Sequence, residues 1–416
     1  MFSFEEENIG GIFMKTVAII GTFDSKGKEY AYVQGLIEAQ GLKTLAIHTG
    51  AFEAVGIEPD LSNGEVAAAA GVDIADIVEK KDRGYATEVM TKGIEILLPQ
   101  LYKEGKFDGV ISLGGSGGTA VAAPAMRALP IGVPKMIVST VASGDVSRYV
   151  GTSDIIMMPS VVDVAGLNSV SMKIFANAAF AIAGMVKFES DIQVEKKPLV
   201  GATMFGVTTP CLTEAQKYLE DRGYEVLIFH ATGTGGQCME ALVDGGFIEG
   251  VLDLTTTEWA DELVGGILAA GPNRLEAAGK KGVPQVVSVG AVDMVNFGDY
   301  DSVPAQFKDR NLYKHNPMIT LMRTTVEENE AIASKIAEKL NMAEGNTKLF
   351  IPLKGVSMID DVGQAFYGPE EDAKLFETLE EKINQDIVEL QKLDLHINDV
   401  EFAHAAAQAL IDMMEA

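Results

Sequence analysis

Cysteine is nearly absent: Cys211 and Cys238 are the only two in 416 residues. Two isolated thiols exclude a disulfide framework and a Cys-based structural zinc site, and they fit a reducing cytoplasm. Long apolar runs are also missing. The most apolar stretch, Ile174 to Val186, is bracketed by Lys173 and Lys187. It falls short of the roughly 20 residues a bilayer span requires, so it reads as a buried helix. Positive charge is scarce, with 33 Lys and Arg against 60 Asp and Glu and a formal charge of -27. Such a surface repels nucleic-acid phosphates and anionic lipid, so neither nucleic acid nor membrane is an expected partner. A phosphate-bearing small ligand must instead be held locally, by backbone N–H groups and a few lysines. No His-Glu-x-x-His or Gly-x-Ser-x-Gly pattern occurs, and no Gly-x-Gly-x-x-Gly follows the first strand, which disfavours NAD.

What is present describes a globular chain: 47% apolar, 22% charged and rich in glycine, with 43. Its length exceeds the roughly 250–300 residues at which single cores stop growing, so two domains are expected. Apolar runs at Thr16–Ile20, Thr44–His48, Gly109–Leu113, Lys135–Ser139 and Ile155–Met158 alternate with helical patterns over 27–40, 85–104, 119–128 and 161–188. That is the signature of βαβ units and a mostly parallel sheet. Polarity rises across Glu189–Lys197, where we place the boundary between an N-terminal domain, 14–190, and a C-terminal domain, 198–416. The second half repeats the alternation at Leu199, Glu225–Phe229, Gly250–Leu254, Gln285–Val289 and Leu349–Pro352. A capping box, Thr325 with Glu328, opens a helix that runs to Leu340, and a last helix begins near Asp399. The fold class expected is α/β, with two Rossmann-like, doubly wound domains, each a mostly parallel sheet flanked by helices. Residues 1–13 lack a signal-peptide pattern and read as a flexible tail before a natural start at Met14.

The stretch "GTFDSKGKE", from Gly21, imitates a P-loop and fails it. Five residues separate Gly21 from Gly27-Lys28 where the motif has four, and Glu29 stands where it needs Ser or Thr. The run Gly114-Gly115-Ser116-Gly117-Gly118-Thr119 lies between a strand and a helix, where first-turn N–H groups suit a phosphate. Three further strand ends are small and polar: Gly21–Lys26, His48-Thr49-Gly50, and Ser139-Thr140 with Ser143-Gly144-Asp145. Parallel strands would bring all four loops to one edge. Two readings of the individual residues stay open. Asp24 can accept from a ribose hydroxyl or sit near magnesium and Lys26 can offset phosphate charge, or Asp24 and Ser25 merely cap a helix.

In the second half, "HATGTGG" places His230, Thr232, Gly233, Thr234, Gly235 and Gly236 in a similar strand–glycine–helix turn. Thr255, Thr256, Thr257 and Glu258 end another strand, and Lys354, Ser357, Asp360 and Asp361 follow a third. These residues could form a second site for a small carboxylate or sugar acid, or they could serve as turn and capping chemistry. Of the histidines, His48 and His230 end strands beside glycine loops and are the better acid–base candidates.

Seven ordered motifs, "VAIIGTFDSKGKEYAYV", "LGGSGGT", "IVSTVASGD", "YVGTSDI", "PSVVDVAGLN", "MFGVTTPC" and "PLKGVSMID", resemble a known family. It is the largely uncharacterised microbial group related to the ATP-binding amino-terminal domain of the tomato mosaic virus resistance protein. The resemblance implies two α/β domains, a homo-oligomer (dimer or higher), and ATP, with or without magnesium, as ligand. Carried onto this chain, it points to Thr22, Asp24, Ser25 and Lys26 and to Gly115, Ser116, Gly117, Gly118 and Thr119; the polar strand end adds Thr140, Ser143 and Gly144 as candidates for the same nucleotide. An enzyme of carbohydrate-acid or small-carboxylate metabolism, and a non-enzymatic scaffold with ATP as structural ligand, are the alternative readings.

Overall fold

The computed structural model describes residues 14–188 and 197–416. The acidic tail expected at 1–13 lies outside the described residues, as does most of the polar stretch expected to join the domains. The chain divides into two compact units, 1–193 and 194–416.

In the N-terminal unit five strands, β1 (Thr16–Gly21), β2 (Lys43–His48), β3 (Gly109–Gly114), β4 (Lys135–Ser139) and β5 (Ile156–Pro159), form one sheet. Its order is β2-β1-β3-β4-β5 and every pairing is parallel. Between the strands run α1 (Phe23–Glu38), α2 (Asn63–Ala69), α3 (Ile74–Lys80), α4 (Arg83–Lys103), α5 (Ser116–Arg127) and α6 (Ser147–Val150). The unit closes with α7 (Ser171–Lys187). Strand side chains alternate between two cores. Val17, Ile19, Ile111, Leu113 and Val138 pack with α1 and α7, while Ala18, Ile20, Val110 and Ile137 pack with α2, α4 and α5. Helices on both faces are why these strands read as unbroken apolar runs and not as alternating ones.

The expected helix over 161–188 is shorter. Val161 and Gly166 both have positive φ, and the Asn168 carboxamide oxygen accepts from the amides of Val170 and Ser171, both at 2.9 Å. A turn therefore occupies 161–170, and Val164 still reaches the α1–α7 core. Before the expected helix start at Gly27, α1 opens with one turn that ends in a kink at Lys26 (φ -132°, ψ 20°), so Asp24 and Ser25 lie in that turn and Lys26 at the kink.

The C-terminal unit is built on six parallel strands, β6 (Leu199–Met204), β7 (Glu225–His230), β8 (Gly250–Thr255), β9 (Gln285–Gly290), β13 (Thr347–Pro352) and β14 (Val388–Leu393). Their order is β14-β13-β9-β8-β6-β7. The helices α8 (Thr209–Glu220), α9 (Thr234–Asp244), α10 (Glu258–Val264), α11 (Ala277–Lys281), α12 (Val326–Leu340), α13 (Pro369–Lys382) and α14 (Val400–Met414) cover its two faces. Between β9 and α12 the chain inserts an antiparallel sheet, β10 (Met294–Phe297), β11 (Leu312–Asn316) and β12 (Ile319–Arg323), in the order β10-β12-β11. Sequence reading missed it because β10 is four residues long and β11 is largely exposed and polar. Among the described residues no helix is long and apolar enough to cross a membrane.

The capping box is present: the Glu328 amide donates to Thr325 Oγ1 at 3.2 Å and the Thr325 amide to Glu328 Oε2 at 2.8 Å. Thr325→Ala is expected to lower unfolding free energy in urea by about 1 kcal/mol with an unchanged slope. A change below about 0.3 kcal/mol would mean the adjacent Arg310–Glu328 pair holds the helix start without the threonine.

Candidate functional site

At the carboxyl edge of the N-terminal sheet lies a cavity of about 1100 Å³. Thr22, Asp24, Ser25, Lys26, Gly115, Ser116, Gly117 and Gly118 all line it. The parallel strands thus bring the β1 and β3 ends together, as their sequence suggested, and β2 adds Thr49 and Gly50. Helix α5 begins at this cavity. Its N-cap is Gly115 in extended backbone, no side chain caps it, and its first bond runs from the Thr119 amide to the Gly115 carbonyl at 3.0 Å. The amides of Ser116, Gly117 and Gly118 precede that bond, and their partial positive charge faces the space.

Other expected residues stand outside the lining. Thr119 is fully buried, its hydroxyl bonding the Gly115 carbonyl at 2.8 Å and Ser139 Oγ at 2.6 Å, so it fixes α5 to β4. Thr140, Ser143 and Gly144 form the turn after β4, with the Thr140 amide on the Gly114 carbonyl and the Gly144 amide on the Val141 carbonyl.

Several polar residues at the rim hold the loop after β2. Asp24 Oδ2 accepts from the Phe52 amide at 3.1 Å. A Cβ on Gly50 would strike that carboxylate, and one on Gly27 would strike the Val55 carbonyl oxygen. The glycine that made the motif resemble a P-loop therefore lets α1 lie against the loop. His48 is buried, stacked on Phe23 with centroids 5.3 Å apart. Its Nδ1 accepts from the Phe23 amide at 3.1 Å and its Nε2 meets the Phe52 carbonyl at 2.8 Å. Both ring nitrogens are engaged, which makes His48 a loop anchor and not an acid–base group. The Lys26 ammonium is held by the Val164 carbonyl. Sequence reading missed Phe52, Lys81 and Arg83, which also line the cavity. Phe52 and Lys81 lie in the long β2–α4 connection, whose sequence carries no motif, and Arg83 is the first residue of α4.

The second glycine turn is closed from within. Glu258 Oε1 accepts from the amides of Gly233 at 2.8 Å and Gly236 at 3.1 Å, filling the nest with the protein's own carboxylate. Glu258 Oε2 accepts from Arg274 Nε at 2.6 Å, and the same guanidinium is bidentate on Asp253 and reaches Glu240 at 3.4 Å. Burial opposes the Arg274 charge, but Asp253, Glu258 and Glu240 outweigh it and hold the guanidinium well above its ordinary pKa. Of the other candidates, the Thr255 carbonyl accepts from Arg274 Nη2 at 3.5 Å, whereas Lys354, Ser357, His230 and Thr232 do not join this cluster. Lys354 pairs with Asp394 on the surface at 3.1 Å, and Ser357 Oγ donates to buried Asp293 at 2.8 Å. Exposed His230 contacts the Phe205 ring, and Thr232 bonds the His230 carbonyl. No outside anion is needed to satisfy Gly233 or Gly236.

Removing Glu258 leaves Arg274 short of one partner and two buried amides unmatched. Glu258→Ala is expected to cost about 3–5 kcal/mol in urea unfolding; a loss under about 1 kcal/mol would show that Asp253 and Glu240 suffice. A second expectation concerns pH. Burial pushes the Asp261 carboxyl up to about 7, against bonds from the Asn296 side chain and backbone that favour the anion. Burial likewise raises Asp293, to about 6. The folded chain thus keeps protons that the unfolded chain, titrating near ~3.9, has released. Stability should fall as pH rises from 5 to 8, since carboxylates with lowered pKa are ionised in both states there. Urea unfolding at the two pH values checks this, and Asp261→Asn should shrink the difference.

Comparison with known proteins follows the two units. The model "Uncharacterised protein family (UPF0261) N-terminal domain" matches residues 15–191, and its C-terminal domain counterpart matches 197–414. A UPF0261 protein of Clostridium tetani is 56% identical over 401 residues, covering 96% of this chain and 99% of its own. One from Rhizobium meliloti is 45% identical over 401 residues, with the same coverage. The ToMV resistance protein Tm-1(GCR237) of Solanum lycopersicum is 48% identical over 337 residues, which are 80% of this chain and 45% of the tomato protein. The chain belongs to the UPF0261 family, spanning both of its domains.

Proposed function

We propose that the N-terminal unit binds ATP in the cavity at the carboxyl edge of its sheet. The observation that carries this reading is the convergence, on one cavity, of the polar β1 end with the uncapped N-terminus of α5. Backbone amides there can meet phosphate oxygens without general electrostatic attraction, which a chain of charge -27 does not offer. The family resemblance in "GTFDSK" and "LGGSGGT" supports the same ligand. Ser116, Gly117 and Gly118 would hold phosphate, and Asp24, already committed to the Phe52 amide through one oxygen, has a second oxygen for a ribose hydroxyl or for magnesium carried with the nucleotide. Magnesium there would neutralise phosphate charge.

Ligand binding to the folded form alone stabilises it by about 2.7 kcal/mol at a hundredfold excess over Kd. ATP is expected to raise the melting temperature and NAD to leave it unchanged; equal shifts with both would sink the assignment. Gly117 has ordinary backbone, and a Cβ there meets only Arg83 Nη2, at 3.6 Å. Gly117→Val should therefore fold while placing methyl groups where phosphate approaches. A tenfold or greater loss of ATP affinity by calorimetry is the expected result, roughly 1.4 kcal/mol. Parental affinity in the folded variant would put the phosphate elsewhere.

A further inference from the structure

We infer that this cavity is divided by chemistry into an apolar wall that takes a flat ring and a cationic side that takes phosphate, read by Phe52 and Arg83 respectively. The inference rests on the nucleotide reading above and assigns the parts of the ligand to residues outside the glycine loops.

Phe52 is 65% exposed, yet its backbone is held at three points. Its amide donates to Asp24 Oδ2 at 3.1 Å, and its carbonyl accepts from His48 Nε2 at 2.8 Å and from Asn63 Nδ2 at 3.0 Å. A loop so firmly fixed keeps an aromatic ring uncovered on the cavity wall. Exposed apolar side chains scattered singly call for no explanation, but here they cluster. Exposed Val55 and Val78 line the same concave surface, with Ile77, Met90 and Val121 alongside. An aromatic on a fixed backbone among aliphatic groups is a stacking platform for a planar heterocycle, which accepts any base because every base has a π face.

Opposite in character is Arg83, the first residue of α4. Its Nη2 lies 3.6 Å from where a Cβ on Gly117 would stand, beside the amides of α5. Among the described residues the guanidinium has no hydrogen-bond or ion-pair partner. One oxygen of the neighbouring Asp82, Oδ1, accepts from the amides of Gly84 and Tyr85, at 2.8 and 3.1 Å. Lys26, the cation the sequence singled out, is committed to the Val164 carbonyl, whereas the Arg83 guanidinium has no such partner among the described residues. A planar fork with five donors matches phosphate oxygens better than an ammonium does.

The test is calorimetric and NMR titration of the full chain with ATP, adenosine and inorganic tripolyphosphate, after melting curves confirm folding. Phe52→Ala is expected to weaken adenosine at least tenfold and leave tripolyphosphate within twofold. Arg83→Ala should do the reverse, and both should weaken ATP; Lys26→Ala should affect ATP less than Arg83→Ala does. Should Phe52→Ala melt below the parent, Phe52→Ser and Phe52→Leu repeat the comparison. The division is overturned if each variant weakens the two probes alike, if neither variant weakens either probe, or if the parent binds ATP without measurable affinity for adenosine. A parent that binds none of the three overturns the ATP reading itself, whereas a parent that binds ATP, with variants indistinguishable from it, removes only the division.

Discussion

Parallel pairing is the constraint on which the candidate site depends. Each strand in β2-β1-β3-β4-β5 runs in the same direction, so each must hand the chain to its helix at the same edge. Loops distant in sequence, such as those near Thr22, Gly50 and Gly115, then face one space without any contact specified between them. Burial on both faces of β1 keeps this arrangement in place, because Val17 and Ile19 bury toward α1 and α7 while Ala18 and Ile20 bury toward α4 and α5. A one-residue slip in register would exchange those two sets of side chains between faces.

Residues that look reactive at this edge do much of the holding. His48 and Asp24 grip the Phe52 backbone from opposite sides, and Gly27 and Gly50 yield the space that the grip requires. Polar groups with all their donors and acceptors satisfied rigidify a loop, and they do so best where burial makes an unsatisfied group expensive. The consequence is a fixed wall with an uncovered ring, next to a helix start that no side chain caps.

The two units contain nearly the same turn, Gly115–Thr119 in one and Gly233–Gly236 in the other, with opposite outcomes. In the C-terminal unit Glu258 reaches the glycine amides and carries Arg274 with it, so the anion comes from the chain. In the N-terminal unit the amides of Ser116 to Gly118 face a cavity. Similar local chemistry therefore differs in what it can bind, because one nest receives a carboxylate from the first residue of α10, after β8, and the other faces a cavity.

The alternation of apolar runs and helical patterns was enough to specify two α/β units, since strands buried on both faces and amphipathic helices leave strong local marks. The Thr325–Glu328 capping box was legible for the same reason: its partners are three residues apart. The insertion of β10, β11 and β12 was not, because short antiparallel strands with an exposed member lack a distinctive period. At the sites, sequence identified the glycine turns and the polar strand ends, which are local features of backbone and hydrogen-bonding capacity. Which nest stays open, that His48 anchors a loop, and that Phe52 and Arg83 share the cavity with Gly117 were decided only by tertiary structure. Apart from the bond between His48 and the Phe52 carbonyl, those outcomes depend on contacts between residues tens of positions apart, and a sequence carries no local trace of which carboxylate or carbonyl will arrive first.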